Sequence, residues 1–300
     1  MEKFGMSAGE FRIDFIGIGA AKSGTTWLVD CLRAHPQIFM PERKELIYFN
    51  EYIQDPCEGR NHRRDKGLPW YHSHFADALP QQIKGEFSNH YLVDANAARR
   101  IYAYNPLIKL IAVLRNPVDR AFSRYRDNYQ KQRTQHARFE DALRAEPLLL
   151  SEGLYHEQLR VYYEVFPREN IKVLLHDDLV RDARAFLQEV LKFLGVAEFY
   201  PEMLGRRSNE AREVRIPVLN QMITATRQFI YRYKMQWCLR LLEYMKITAL
   251  AEYVRDSLNT RIPGAKPCVR ESTRDELKAY FSRDVARLEE LLGRDLSAWK

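Results

Sequence analysis

Cysteine is scarce in this chain. Cys31, Cys57, Cys238 and Cys268 stand far apart in 300 residues, and no C-x-x-C pair occurs. That spacing offers neither a disulfide framework nor a cysteine metal site, so the four read as reduced thiols. No apolar run reaches membrane-spanning length, and Met1-Glu2-Lys3-Phe4-Gly5 lacks the apolar core of a signal peptide. A soluble, cytoplasmic protein is expected. Low-complexity runs and internal repeats are missing too, and the 13 glycines and 13 prolines are spread along the chain. Acidic residues fall short of basic ones, 40 against 47, for a net charge of +7. Such a balance admits nucleic acid, a membrane surface or anionic ligands as partners. The chain has no aromatic-interleaved basic repeat and no DNA-reading helix pattern, which argues against nucleic acid. At 46% hydrophobic it can bury a core in one large domain or two small ones.

What is present gathers around one stretch, Phe15-Ile16-Gly17-Ile18-Gly19-Ala20-Ala21-Lys22-Ser23-Gly24-Thr25-Thr26-Trp27-Leu28. Ile13 to Ile18 reads as a buried parallel strand, and Thr25 to Ala34 as a helix that Pro36 terminates. The turn between them is built of small residues with one lysine. Free backbone N–H groups and the positive end of the helix dipole make such a turn an anion site. Gly24 permits close approach of backbone to ligand, and Lys22 adds a mobile cation. A nucleotide-triphosphatase loop would carry its lysine after the second glycine, whereas Lys22 precedes Gly24. A dinucleotide fold would need a third glycine where Lys22 stands. The order Lys-Ser-Gly-Thr-Thr-Trp instead resembles the 5′-phosphosulfate loop of sulfotransferases that use 3′-phosphoadenosine-5′-phosphosulfate (PAPS).

Further along, Ile108 to Arg115 is a second apolar strand with Arg115 at its C-terminal end, where open parallel sheets bind ligands. Asn116 is placed to cap the following helix, with Pro117 at its first position. The run Arg-Asn-Pro-Val-Asp-Arg-Ala-Phe-Ser resembles the 3′-phosphate site of the same family, which implies Arg115 and Ser123 as its ligands. Guanidinium suits that task because its forked donors stay charged. Ile171 to Leu175 is a third strand, and the helix through Leu194-Gly195 completes another strand–helix unit. Residues 51–80 read as loop, anchored by Trp70, Tyr71 and Phe75. Residues 206–260 read as helical and rich in aromatic and basic side chains.

Two segments bear on catalysis. Lys44-Glu45 followed by Tyr48-Phe49 is, by itself, a charged turn packed by two aromatics. It resembles the segment of carbohydrate-modifying sulfotransferases, the heparan sulfate enzymes included, that carries the catalytic glutamate, which implies that role for Glu45. Glu86-Phe87-Ser88-Asn89-His90-Tyr91 resembles a second edge of that active site, with two departures. Phe87 stands where heparan sulfate enzymes often have lysine, and Asn89 where many relatives have proline. His90 is the alternative base, since an imidazole works near neutral pH and the cytosolic branch of the superfamily uses a histidine on a comparable segment.

The resemblance runs from the first strand to Trp299 and implies an α/β protein with a central parallel sheet flanked by helices, P-loop-like, as a single sulfotransferase domain over 1–300. Residues 206–262 would shape the acceptor pocket. It implies that Lys22, Ser23, Gly24, Thr25, Thr26, Trp27, Arg115, Ser123 and Tyr155 hold PAPS, with Lys266 and Arg270 closing over it from a later loop. Transfer to a hydroxyl, or as the second choice an amine, would be an in-line displacement with Lys22 and amide dipoles supplying the positive potential, and no metal. The acceptor would be a small molecule, glycan or natural product. A nucleotide kinase and a non-catalytic nucleotide-binding module are the competing readings. The lysine–glycine order and the lack of an acidic strand end speak against the kinase.

Overall fold

The computed structural model describes residues 11–51, 61, 63–131, 133–205, 213–214, 260–261 and 269–300. Strand β1 (Phe15–Gly19) is buried along its whole length and leads through a short turn into helix α1 (Thr25–Arg33). A two-residue strand, β2 (Ile38–Phe39), follows, then α2 (Gly67–Ser73) and β3 (Ile83–Phe87). Helix α3 (Ala95–Tyr104) is capped by Asp94, whose carboxylate accepts from Asn96 N. Strand β4 (Lys109–Leu114) runs into α4 (Pro117–Gln130), where the Asn116 side chain accepts from Val118 N and Asp119 N. Three further helices, α5 (Phe139–Ala145), α6 (Leu148–Ser151) and α7 (Tyr155–Val165), lead to β5 (Ile171–Leu175). Helices α8 (His176–Arg181) and α9 (Ala183–Leu194) are separated by the cap Asp182, and α9 stops at Gly195 in the left-handed conformation. Beyond them, β6 (Glu213–Val214) pairs antiparallel with β7 (Thr260–Arg261), and α10 (Glu271–Leu292) precedes the buried Trp299.

The main sheet has the order β2-β3-β1-β4-β5, every pairing parallel. Its strands alternate between two cores. Leu110, Ala112 and Leu114 enter one apolar cluster, and Ile111 and Val113 the other. A strand covered on both faces must be apolar throughout, which is why β4 reads as a continuous run. The first cluster draws in residues of α2, α3, α7 and α10, and the second residues of α1 and α9. The chain crosses from one side of β1 to the other between β3 and β4, and a crevice opens at such a switch point.

The architecture expected from sequence is the one found. Residues 51–80 depart from the expected loop in forming α2, while Tyr71 and Phe75 are the buried anchors expected and tie that helix into the first core. Strand β2 also escaped the sequence, since an edge of two residues is defined by its pairing with β3 and by no pattern of its own. Helix α4 ends at Gln130. Most of the stretch expected to be helical from Arg206 lies outside the described residues, while β6 and β7 within it are strand. Among the described residues, no helix is long and apolar enough to cross a membrane.

Candidate active site

The turn after β1 sits at the switch point. Gly24 adopts φ +86 at the start of α1, a conformation side chains resist, and a Cβ there would stand 2.8 Å from Leu179 Cδ2. Ser23 is fully buried, and its Oγ has no partner. Arg115, at the end of β4, reaches across and donates from Nη1 to Lys22 O at 3.1 Å. The fully buried Tyr155 donates its hydroxyl to Arg115 O at 2.9 Å, so its polar group is committed to fixing the arginine from behind. Lys22 Nζ lies 3.1 Å from Asp127 on α4. Burial pulls the Lys22 ammonium below its usual range, and the Asp127 carboxylate opposes that. Ser123 stands one turn before Asp127, on the helix face that borders the turn.

Facing this turn is the loop that carries Glu45. Its Oε1 accepts from Asn89 Nδ2 at 2.6 Å, and its Oε2 accepts from Asn89 N at 3.0 Å. His90 Nδ1 lies 3.1 Å from the same Oε2. Burial works to raise the Glu45 pKa, but the His90 contact, Lys44 and the Asn89 amide outweigh it and hold the carboxyl below its ordinary range. Glu45 and His90, competing candidates in the sequence, are thus one hydrogen-bonded pair. Asn89, a departure from the family pattern, supplies two of the three donors.

Behind the pair, Glu86 forms a buried hub. Its carboxylate accepts from Tyr91 Oη at 2.6 Å, Ser88 Oγ at 2.7 Å and Tyr71 Oη at 3.2 Å. Ser88 Oγ in turn accepts from Ile47 N, and Tyr91 Oη from Tyr48 N, both at 2.9 Å. The hub therefore pins the backbone that follows Glu45. Burial pushes the Glu86 carboxyl up to about 7 against the pull of those three hydroxyls.

The structure brings together Lys22, Ser23, Gly24, Thr25, Thr26 and Arg115 on one side, and Glu45 and His90 on the other. Trp27 belongs to the core, edge-on to Phe186 at 6.1 Å, which leaves only its backbone for a ligand. Arg270 stands exposed at the N-terminus of α10 with its Nε 3.7 Å from Glu140 Oε1. Lys266 lies outside the described residues. Sequence reasoning missed Asp127, and it quoted Lys44, Glu86 and Asn89 within the two active-site segments without giving them a role. Asp127 was discoverable, four residues past Ser123 on one helix face, whereas the other three depend on a loop crossing that no periodicity records.

An orphaned hydroxyl, a glycine-shaped cradle, a helix N-terminus, an arginine and a lysine fit a phosphorylated, strongly anionic group. The comparisons with known proteins agree. A family model described as a sulfotransferase domain matches residues 12–210. Among curated relatives, membrane-associated sulfotransferase kil1 of Dictyostelium discoideum is 37% identical over 120 residues, 39% of this chain and 23% of that protein. Heparan sulfate glucosamine 3-O-sulfotransferase 6 of Homo sapiens is 31% identical over 186 residues, 60% of this chain and 51% of that protein. The chain therefore spans about half the length, or less, of these relatives. A solved sulfotransferase from Alicyclobacillus acidocaldarius is 27% identical, covers 97% of this chain and 99% of its own, and superposes with a TM-score of 0.66.

Proposed function

The chain belongs to the sulfotransferase domain family, whose donor is PAPS, and from that premise we propose that it sulfates a hydroxyl group, with Glu45 taking the hydroxyl proton. The observation that carries this reading is the meeting of two halves. Arg115 is bonded to the turn at Lys22 O, and an ionised, triply hydrogen-bonded Glu45 stands across from that turn. We read the described residues as one sulfotransferase domain.

PAPS carries the sulfuryl group on a 5′-phosphate that departs as part of 3′-phosphoadenosine-5′-phosphate (PAP). Backbone amides from Ser23 to Trp27 would hold that 5′-phosphate, and Lys22 would offset the charge growing on it. Its ammonium is held by Asp127, so the donor shares Lys22 with that carboxylate. Arg115 and Ser123 would hold the 3′-phosphate. The acceptor oxygen forms its bond to sulfur as the sulfur–oxygen bond to the phosphate breaks, and the hydroxyl proton passes to Glu45. A carboxylate held below its usual pKa range stays ionised at neutral pH. Though a weak base in water, it is free to accept the proton as the acceptor's bond to sulfur forms.

For the acceptor we propose a molecule bearing negative charge. Arg43, Lys66 and Arg63 each lie near enough to His74 that, after burial, their charges lower its pKa. Arg63 also donates to Glu45 O and Leu46 O at 3.0 Å each, which ties this cationic rim to the catalytic loop. A sulfated or carboxylated glycan matches that charge, as the name of the human relative suggests.

Calorimetry with PAP in metal-free buffer tests the donor half. Wild type should bind in the micromolar range. Arg115→Ala should lose roughly 10- to 100-fold, the scale of a charged hydrogen bond. ATP–magnesium binding in place of PAP would return the turn to the kinases.

A further inference from the structure

We propose that Lys44 is a second cation of the donor site, contacting the 5′-phosphosulfate end of PAPS. The inference rests on the donor reading above and adds a residue to it.

Lys44 precedes Glu45 in the loop that crosses in front of α1. Its Nζ lies 3.3 Å from Thr26 Oγ1 and 3.4 Å from Thr25 Oγ1, the two hydroxyls at the mouth of the anion-binding turn. Both distances are long for a charge-assisted bond, as expected of an ammonium placed near a site and not satisfied by it. Among the described residues no carboxylate pairs with Lys44, whereas Lys22 is held by Asp127 at 3.1 Å. Burial lowers the Lys44 pKa, with Glu45 and Asp30 opposing at longer range. A partly buried ammonium without a counter-ion is costly, and a bound anion relieves that cost.

The neighbouring strand cannot serve instead. Phe87 is buried in the second core with its ring against Gly17, where a Cβ would lie 2.1 Å from Phe87 Cδ1. No cation therefore reaches the turn from β3, and Lys44 approaches it from the opposite loop. The same backbone step then carries a cation for the donor and a base for the acceptor. A residue so placed binds the charge that must stay on the donor while Glu45 receives the proton.

The test compares PAP with adenosine 3′-monophosphate, which lacks the 5′-phosphate, for wild type, Lys44→Met and Lys44→Arg by calorimetry. Lys44→Met should weaken PAP about 10- to 100-fold and leave adenosine 3′-monophosphate within about twofold, with Lys44→Arg recovering part of the loss. Equal weakening of both nucleotides would reduce Lys44 to a structural role, and no weakening of either would remove it from the site. Wild type that binds neither nucleotide would sink the donor reading itself, a result distinct from the failure of Lys44 alone.

Discussion

Replacing Glu45 by glutamine separates chemistry from structure at this site. The carboxylate accepts three bonds, two from Asn89 and one from His90, at 2.6–3.1 Å. Glutamine keeps the shape but turns one oxygen into a donor. If the new amide faces Asn89, the Asn89 side chain can rotate to present its own Oδ1, which is buried without a partner. Its Nδ2 then takes the unpartnered position that Oδ1 held, so the number of buried unpaired groups does not rise. The loss is confined to charge-assisted bonds becoming neutral ones, roughly 1–2 kcal/mol in all. For a domain of this size that lowers Tm by only a few degrees. Turnover should fall at least ~100-fold, the scale for losing a positioned base. PAP affinity should stay within about twofold, because Glu45 lies across the crevice from the turn. Steady-state kinetics, calorimetry and a melting curve on one preparation decide it. Turnover within about threefold of wild type would refute the assignment, and combined with inactive His90→Ala it would hand the base role to the imidazole. Parallel loss of PAP affinity would instead show that the loop as a whole had moved.

Two further outcomes follow from groups around the pair. Glu86, raised from an ordinary 4.5 to about 7, binds its proton more tightly in the folded chain than in the unfolded one. Its contribution is therefore full below about 4.5 and is lost as pH rises through about 7. Urea unfolding between pH 4.5 and 8 should show wild type losing roughly 3 kcal/mol more than Glu86→Gln, at about 1.36 kcal/mol per pKa unit, and parallel curves would contradict the burial of a titrating carboxyl. Gly24→Ala places a side chain at φ +86 with its Cβ 2.8 Å from Leu179 Cδ2, the movable end of a leucine. The strain of about 1–2 kcal/mol should leave a folded protein whose PAP affinity drops roughly tenfold, and unchanged affinity would mean the turn does not hold the phosphate.

The sequence alone determined the strand–turn–helix framework on which the proposed donor half stands. A buried strand, a turn and a helix start are local facts, because burial on both faces demands a continuous apolar run and close approach of backbone to an anion demands small residues at the turn. Lys22, Gly24, Arg115 and the Asn116 cap were legible for that reason, each fixed by neighbours a few residues away. The base was legible only as two rivals, since Glu45 and His90 are separated by a whole strand and meet through a loop crossing. Tertiary structure alone decided that they are bonded, that Asn89 holds the carboxylate, and that Phe87 fills core space beside Gly17 while Lys44 reaches the threonine hydroxyls at the mouth of the turn. It also turned Glu86 from one strand residue among others into the hub that fixes the loop after Glu45. Those contacts are matters of distance between chain segments and of what burial does to a charge, and neither leaves a period in the sequence.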